Sequence, residues 1–132
     1  MLQPGITHTV TTTVTQDKTA SAVGSGGLDV FGTPAMIGLM EMCCLQAVQP
    51  LLNEGQGTVG TVLNVRHLAA TPLGLQVRCE CELQQVEGKR LLFAVRAYDP
   101  AGLIGEGTHE RFIVDNERFM QRTLQKLEEL QK

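Results

Sequence analysis

The chain reads as one α+β domain, a curved antiparallel sheet wrapped around a single long helix, with a second helix at the C-terminal end. Two observations predict this. One segment, beginning at Pro34, carries apolar residues at three- and four-residue spacing, and four strand candidates follow it in series, joined by short links rich in turn residues. With 132 residues, 42% of them hydrophobic and 19% charged, the chain suits one globular domain over residues 1–132, with a core that needs no disulfide staples.

The elements follow in order. Residues 6–14, ITHTVTTTV, are rich in β-branched types and read as a strand. The stretch TQDKTASAVGSGGLDVFG holds small residues and glycines and reads as a mobile loop with room for a short strand. Thr33 is a candidate cap and Pro34 suits the first helical position; Met36, Met40, Cys43, Cys44, Ala47 and Leu51 then form one face. Pro50, Asn53 and Gly55 mark the end of that helix, after about four to five turns. In LQVRCECELQ, Leu75, Val77, Cys79, Cys81 and Leu83 alternate with polar residues, as in a strand with one wet side. Residues 58–70, 90–98 and 103–114 complete the series, and turns are expected at Thr71-Pro72-Leu73-Gly74, Glu87-Gly88 and Asp99-Pro100-Ala101-Gly102. A last helix starts near Asp115 or Asn116, with Phe119, Met120, Leu124, Leu127 and Leu130 on one side.

Composition removes several function classes. A net charge of −3 gives no electrostatic footprint for nucleic acid, so a polyanionic ligand must meet a local cluster, for which Arg66, Lys89, Arg90 and Arg118 are candidates. No run approaches the ~18 apolar residues of a transmembrane helix, so no membrane partner is expected. Cys43 and Cys44 are adjacent, Cys79 and Cys81 form a C-x-C, and His8, His67 and His109 lack zinc-motif spacing. No metal and no cofactor are therefore expected, and the cysteines read as small buried hydrophobes. Reduced thiols, and an opening MLQPGITHTV without a basic run followed by an apolar one, point to the cytoplasm. Gly24-Ser25-Gly26-Gly27 has no following Gly-Lys-Ser/Thr, and no G-x-S-x-G elbow exists.

Three polar residues could carry chemistry: Thr33, Glu41 and His67. At helical spacing Thr33 and Glu41 stand roughly 80° apart around the axis and about 12 Å along it, which sets Glu41 at the border of the apolar stripe. A half-sheltered carboxylate is a stronger base than a fully solvated one. Each residue also has a plain structural reading: Thr33 as a helix cap, Glu41 as a boundary residue turned to solvent, and His67 as a core residue sharing a strand face with Val59, Leu63, Val65 and Ala69.

Four blocks decide between these readings. Thr33-Pro34-Ala35-Met36-Ile37 through Glu41, then Thr58-Val59-Gly60, then Val65 through Gly74 with His67 inside it, then Gly105-Glu106-Gly107-Thr108-His109-Glu110-Arg111-Phe112 follow in order. In that order they resemble the fluoroacetyl-CoA thioesterase family of the hot-dog superfamily. The resemblance runs from about residue 30 to residue 119 and implies a hot-dog fold, an acyl-CoA substrate and thioester hydrolysis; a homodimer is expected because the long helix and the sheet edge of one copy would otherwise expose an apolar patch. It implies that Thr33, Glu41 and His67 are the catalytic threonine, glutamate and histidine, and that Gly60 and Arg111 line the acyl pocket. Glu41 would activate water or attack to form a mixed anhydride, His67 would orient the carboxylate or protonate the leaving sulfur, and N–H groups at the first helical turn would receive the oxyanion.

The match departs from the family before the catalytic helix, where family members build a lid of bulky apolar and aromatic residues. Residues 15–29 hold no aromatic, and Gly24, Gly26 and Gly27 stand in its place, so an acyl group other than fluoroacetyl, and larger, is expected. Two rival functions remain: an enoyl-CoA hydratase or dehydratase on the same fold, using His67 and Glu41 to move a proton, and a non-catalytic module that binds acyl-CoA.

Overall fold

A computed structural model describes residues 1–131. Its elements are β1 (Thr7–Thr13), a short helix α1 (Ala20–Val23), the long helix α2 (Thr33–Val48), β2 (Gln56–His67), β3 (Gln76–Glu87), β4 (Arg90–Asp99), β5 (Gly102–Asp115) and α3 (Asn116–Leu130). All strands join one sheet in the order β1-β3-β4-β5-β2, and every pairing is antiparallel. The α+β arrangement expected from the sequence is the one found.

α2 is rich in Ala, Leu and Met, which favour helix, and ends where Pro50 draws the chain into a 3₁₀ turn over Gln49–Leu51. It buries Met36, Leu39, Met40, Cys43, Cys44, Ala47 and Val48 against the sheet. Leu51, expected on that face, lies in the turn beyond the helix and is exposed, because the face ends with the helical geometry. From the sheet, Val77, Cys79, Cys81, Leu83, Leu91, Phe93, Val95 and Ala97 meet the helix in one core. All four cysteines are free and buried there.

Phe93 lies at the bottom of this core, wholly buried and stacked on the ring of His109 at 6.4 Å. Phe93→Ala is expected to destabilise the fold by about 3–5 kcal/mol through lost transfer energy and an unfilled cavity. Urea titration would read this as a lower midpoint with an unchanged slope.

One irregularity positions the site. The β2–β5 register slips between Gly60 and Val62, so Thr61 is an extra residue on β2. Side chains alternate faces along a strand, so one extra residue reverses the parity beyond it. Gly60 pairs with Arg111, Leu63 with His109 and His67 with Gly105, and all of these point toward α2. Val59 pairs with Phe112 on the opposite face. This corrects the expectation that Val59 and His67 share a face: they are eight residues apart, and the bulge separates them.

The segment before α2 is more ordered than a mobile loop. It holds a 3₁₀ turn at Gln16–Lys18 and helix α1, capped by the Thr19 hydroxyl, and bridges pair Thr19 with Phe31 and Val30 with Pro72. Asp29 accepts from Ser21 at 2.6 Å and from Gln16 at 3.2 Å, which ties the glycine-rich end back to its start. α3 buries no side chain and carries its apolar stripe exposed.

Candidate active site

The first turn of α2 departs from its expected capping. Gly32, not Thr33, is the N-cap; Thr33 is already helical, and no side chain caps the turn. The Thr33 hydroxyl is thereby released to bond His67 Nδ1 at 2.8 Å. His67 Nε2 is buried without a partner, while Phe31 holds the ring edge-on at 6.5 Å. Burial pushes the imidazole pKa down, with a smaller opposing contribution from the backbone at Ala69. The neutral ring, its unused nitrogen buried, lines a cleft of about 300 Å³ together with Ala20, Phe31, Thr33, Ala69 and Ala70.

Glu41 belongs to a second group. Its carboxylate, 40% exposed, lies 3.9 Å from Arg111 Nη1. It also lies over Gly60, where a Cβ would stand 2.9 Å from Glu41 Oε2 and 3.1 Å from His109 Cε1. Arg111 donates from Nε to the Thr58 hydroxyl at 2.8 Å and from Nη2 to the Thr58 carbonyl at 3.0 Å, and its Nη1 meets His109 Nε2 at 3.1 Å. Burial pushes the guanidinium pKa down, and the Glu41 carboxylate opposes that shift.

The five residues singled out from the sequence thus form two pairs of neighbours and a close approach: Thr33 with His67, and Glu41 with Arg111 above Gly60. Among the described residues, no hydrogen bond or ion pair joins Glu41 to Thr33 or His67. Two further members were not singled out by sequence. Thr58 and His109 lie in the quoted blocks, and the alternation His109-x-Arg111 on an inward strand face was the available signal. Of the charges considered for CoA phosphates, Arg66 stands opposite Glu106 in the β2–β5 register, and Arg90 forms ion pairs with Glu110 and Glu87. No group of three or more His, Cys, Asp or Glu among the described residues is arranged to hold a metal, and no helix there is long and apolar enough to cross a membrane.

His109 is wholly buried, and its pKa is pushed down, first by burial and further by Arg111. A histidine with a lowered folded pKa takes up its proton more readily when unfolded. Its contribution to stability is complete above the unfolded value of about 6.5 and is lost as pH falls toward the folded value. Urea midpoints measured from pH 7.5 down to pH 5 should therefore fall below about pH 6.5, and His109→Gln should flatten that slope. An unchanged slope in the variant would mean that His109 titrates alike in both states.

The family profile described as fluoroacetyl-CoA-specific thioesterase matches residues 14–117. The fluoroacetyl-CoA thioesterase of Streptantibioticus cattleyicolor is 47% identical over 98 residues, which are 74% of this chain and 70% of that protein. The solved structure of the fluoroacetyl-CoA thioesterase FlK superposes with a TM-score of 0.90 at 39% identity, covering 96% of this chain and 98% of that one. A thioesterase superfamily member from Thermus thermophilus gives 0.88 at 29% identity, covering 98% and 95%. With its blocks in order and its fold superposed along nearly the whole length, the chain belongs to the fluoroacetyl-CoA-specific thioesterase family, a group of hot-dog thioester hydrolases.

Proposed function

We propose that this thioester hydrolase cleaves acyl-CoA with Glu41 as base and the Thr33–His67 pair at the leaving group. The observation that carries the reading is the unpartnered, buried Nε2 of His67, held by Thr33 at the mouth of a cleft. In this mechanism the ring takes the tautomer in which the Thr33 hydroxyl donates to Nδ1 and Nε2 carries the ring proton. Glu41 removes a proton from water as its oxygen attacks the thioester carbonyl carbon. The oxyanion is received by N–H groups at the uncapped first turn of α2. The C–S bond then breaks, His67 Nε2–H steadies the departing thiolate by a hydrogen bond, and the proton held by Glu41 returns to sulfur. Acid and free thiol are the products, and the enzyme is restored. The acyl group lies by Gly60 and Arg111; with no aromatic in residues 15–29, the substrate is an acyl group larger than fluoroacetyl. A panel of acyl-CoAs with a thiol reagent tests this: thiol release supports it, enoyl-band changes without thiol support a hydratase, and binding alone supports a carrier.

The set is completed by a second copy. β2 is an edge strand with Val62 and Leu63 exposed, and Met42 lies exposed on the outer side of α2. Two copies pairing antiparallel along β2, centred on Asn64 and with Thr61 left out at the bulge, set residue 60 of one opposite residue 67 of the other. Glu41, over Gly60, then reaches the Thr33–His67 pair of the second copy. Mixing Glu41→Gln with His67→Ala chains tests this directly, since each hybrid regains one intact site. Refolded together, the two inactive variants should recover about a quarter of wild-type activity. No recovery would place all three residues in one copy. The four free thiols suit a reducing compartment such as the cytoplasm.

A further inference from the structure

The buried histidine on β5 has a tautomer that its neighbours dictate. His109 Nδ1 lies 2.8 Å from the Val62 carbonyl, which can only accept, so Nδ1 carries the proton. Nε2 lies 3.1 Å from Arg111 Nη1, which can only donate, so Nε2 presents its lone pair. A second proton on the ring would set N–H against N–H. The ring itself is fixed by Phe93 stacked against it and by complete burial.

Through this bond His109 governs the guanidinium. Thr58 holds the Nε and Nη2 edges of Arg111, and His109 holds Nη1, the nitrogen nearest the Glu41 carboxylate. The Val62 carbonyl that anchors His109 belongs to the residue just past the β2 bulge, so the chain runs from bulge to imidazole to guanidinium to carboxylate. We infer that His109 is a positioning residue: as an obligate neutral acceptor it orients Arg111 and thereby sets where the Glu41 carboxylate stands. This rests on Glu41 being the base.

Asn and Gln separate its two bonds. Asn at this position can reach the Val62 carbonyl but not Arg111, whereas Gln can offer its side-chain oxygen to Arg111. His109→Asn should lower kcat about tenfold with little change in KM, because a displaced base affects the transition state more than substrate binding. His109→Gln should recover most of that loss. In an Arg111→Gln background, His109→Asn should cause no further loss, since residues acting through one another do not add. Full kcat in His109→Asn, equal losses in both backgrounds, or no advantage of Gln over Asn at matched thermal stability would each overturn the inference. Nitrogen-15 NMR of the wild-type protein at pH 7 supplies a test independent of the variants: His109 must be neutral with its proton on Nδ1, and a proton on Nε2 would overturn the inference. Glu41→Gln is assayed beside them. Near-normal turnover there would remove the base reading, whereas a large loss there with an unaffected His109→Asn would remove this inference alone.

Discussion

Glu41→Gln is expected to lower thiol release from acyl-CoA by about 10²-fold or more, with the fold intact, because the amide cannot take the proton of water. The substitution preserves size and shape beside Arg111, so the loss reports charge and basicity. At 40% exposed, Glu41 is open enough for water to reach, and its stability contribution is small, since the 3.9 Å pair with Arg111 is screened by solvent. The thermal midpoint should stay within a few degrees of wild type. A variant that turns over normally would exclude Glu41 as base and as nucleophile alike. In a single turnover in oxygen-18 water, label in the Glu41 carboxylate identifies a nucleophilic Glu41 whose anhydride is opened by water at the glutamyl carbonyl, since a base never acquires it.

Gly60→Ala is expected to produce the second large effect, a fall in kcat of about 10²-fold, because about 1 Å of misplacement at a catalytic group has that scale. The added Cβ would stand 2.9 Å from Glu41 Oε2, 3.1 Å from His109 Cε1 and 3.5 Å from Arg111 Nη1. The Glu41 carboxylate ends a flexible side chain and gives way first. His109 is clamped by Phe93, the Val62 carbonyl and Arg111, so the residual strain falls on β2 and destabilises the protein by about 1–3 kcal/mol. The informative comparison is with the exposed helical Gly38, where a Cβ meets nothing within 4 Å. Gly38→Ala should leave the rate unchanged and hold or slightly raise stability through helix propensity. Equal rates in the two variants would show that the space above Gly60 is not used by the base.

Much of this was legible in the chain. The alternation of Val77, Cys79, Cys81 and Leu83 gave β3 its face, and the spacing of Met36, Met40, Cys43 and Cys44 gave α2 its face, because burial on one side of a regular element writes that element's period into the sequence. The loop before α2 was less legible: α1 is only one turn long, too short to show a period, and its order comes from the Thr19 cap and from Asp29 bonding back to Ser21 and Gln16. Thr33 was read as a cap, yet Gly32 takes that place, and the difference depends on His67, 34 positions away.

By itself, then, the sequence determined the α+β class, the element order and the identity of the polar residues that matter, since periodicity and short motifs are local properties. The tertiary structure decided which of them meet. A single extra residue at Thr61 turns Gly60 and His67, an odd number of positions apart, onto one inward face, and the β2–β5 register brings Arg111 under Glu41 and sets His109 behind it. No local pattern encodes a bulge or a register, because both are fixed by the competition of whole strands for hydrogen bonds and burial.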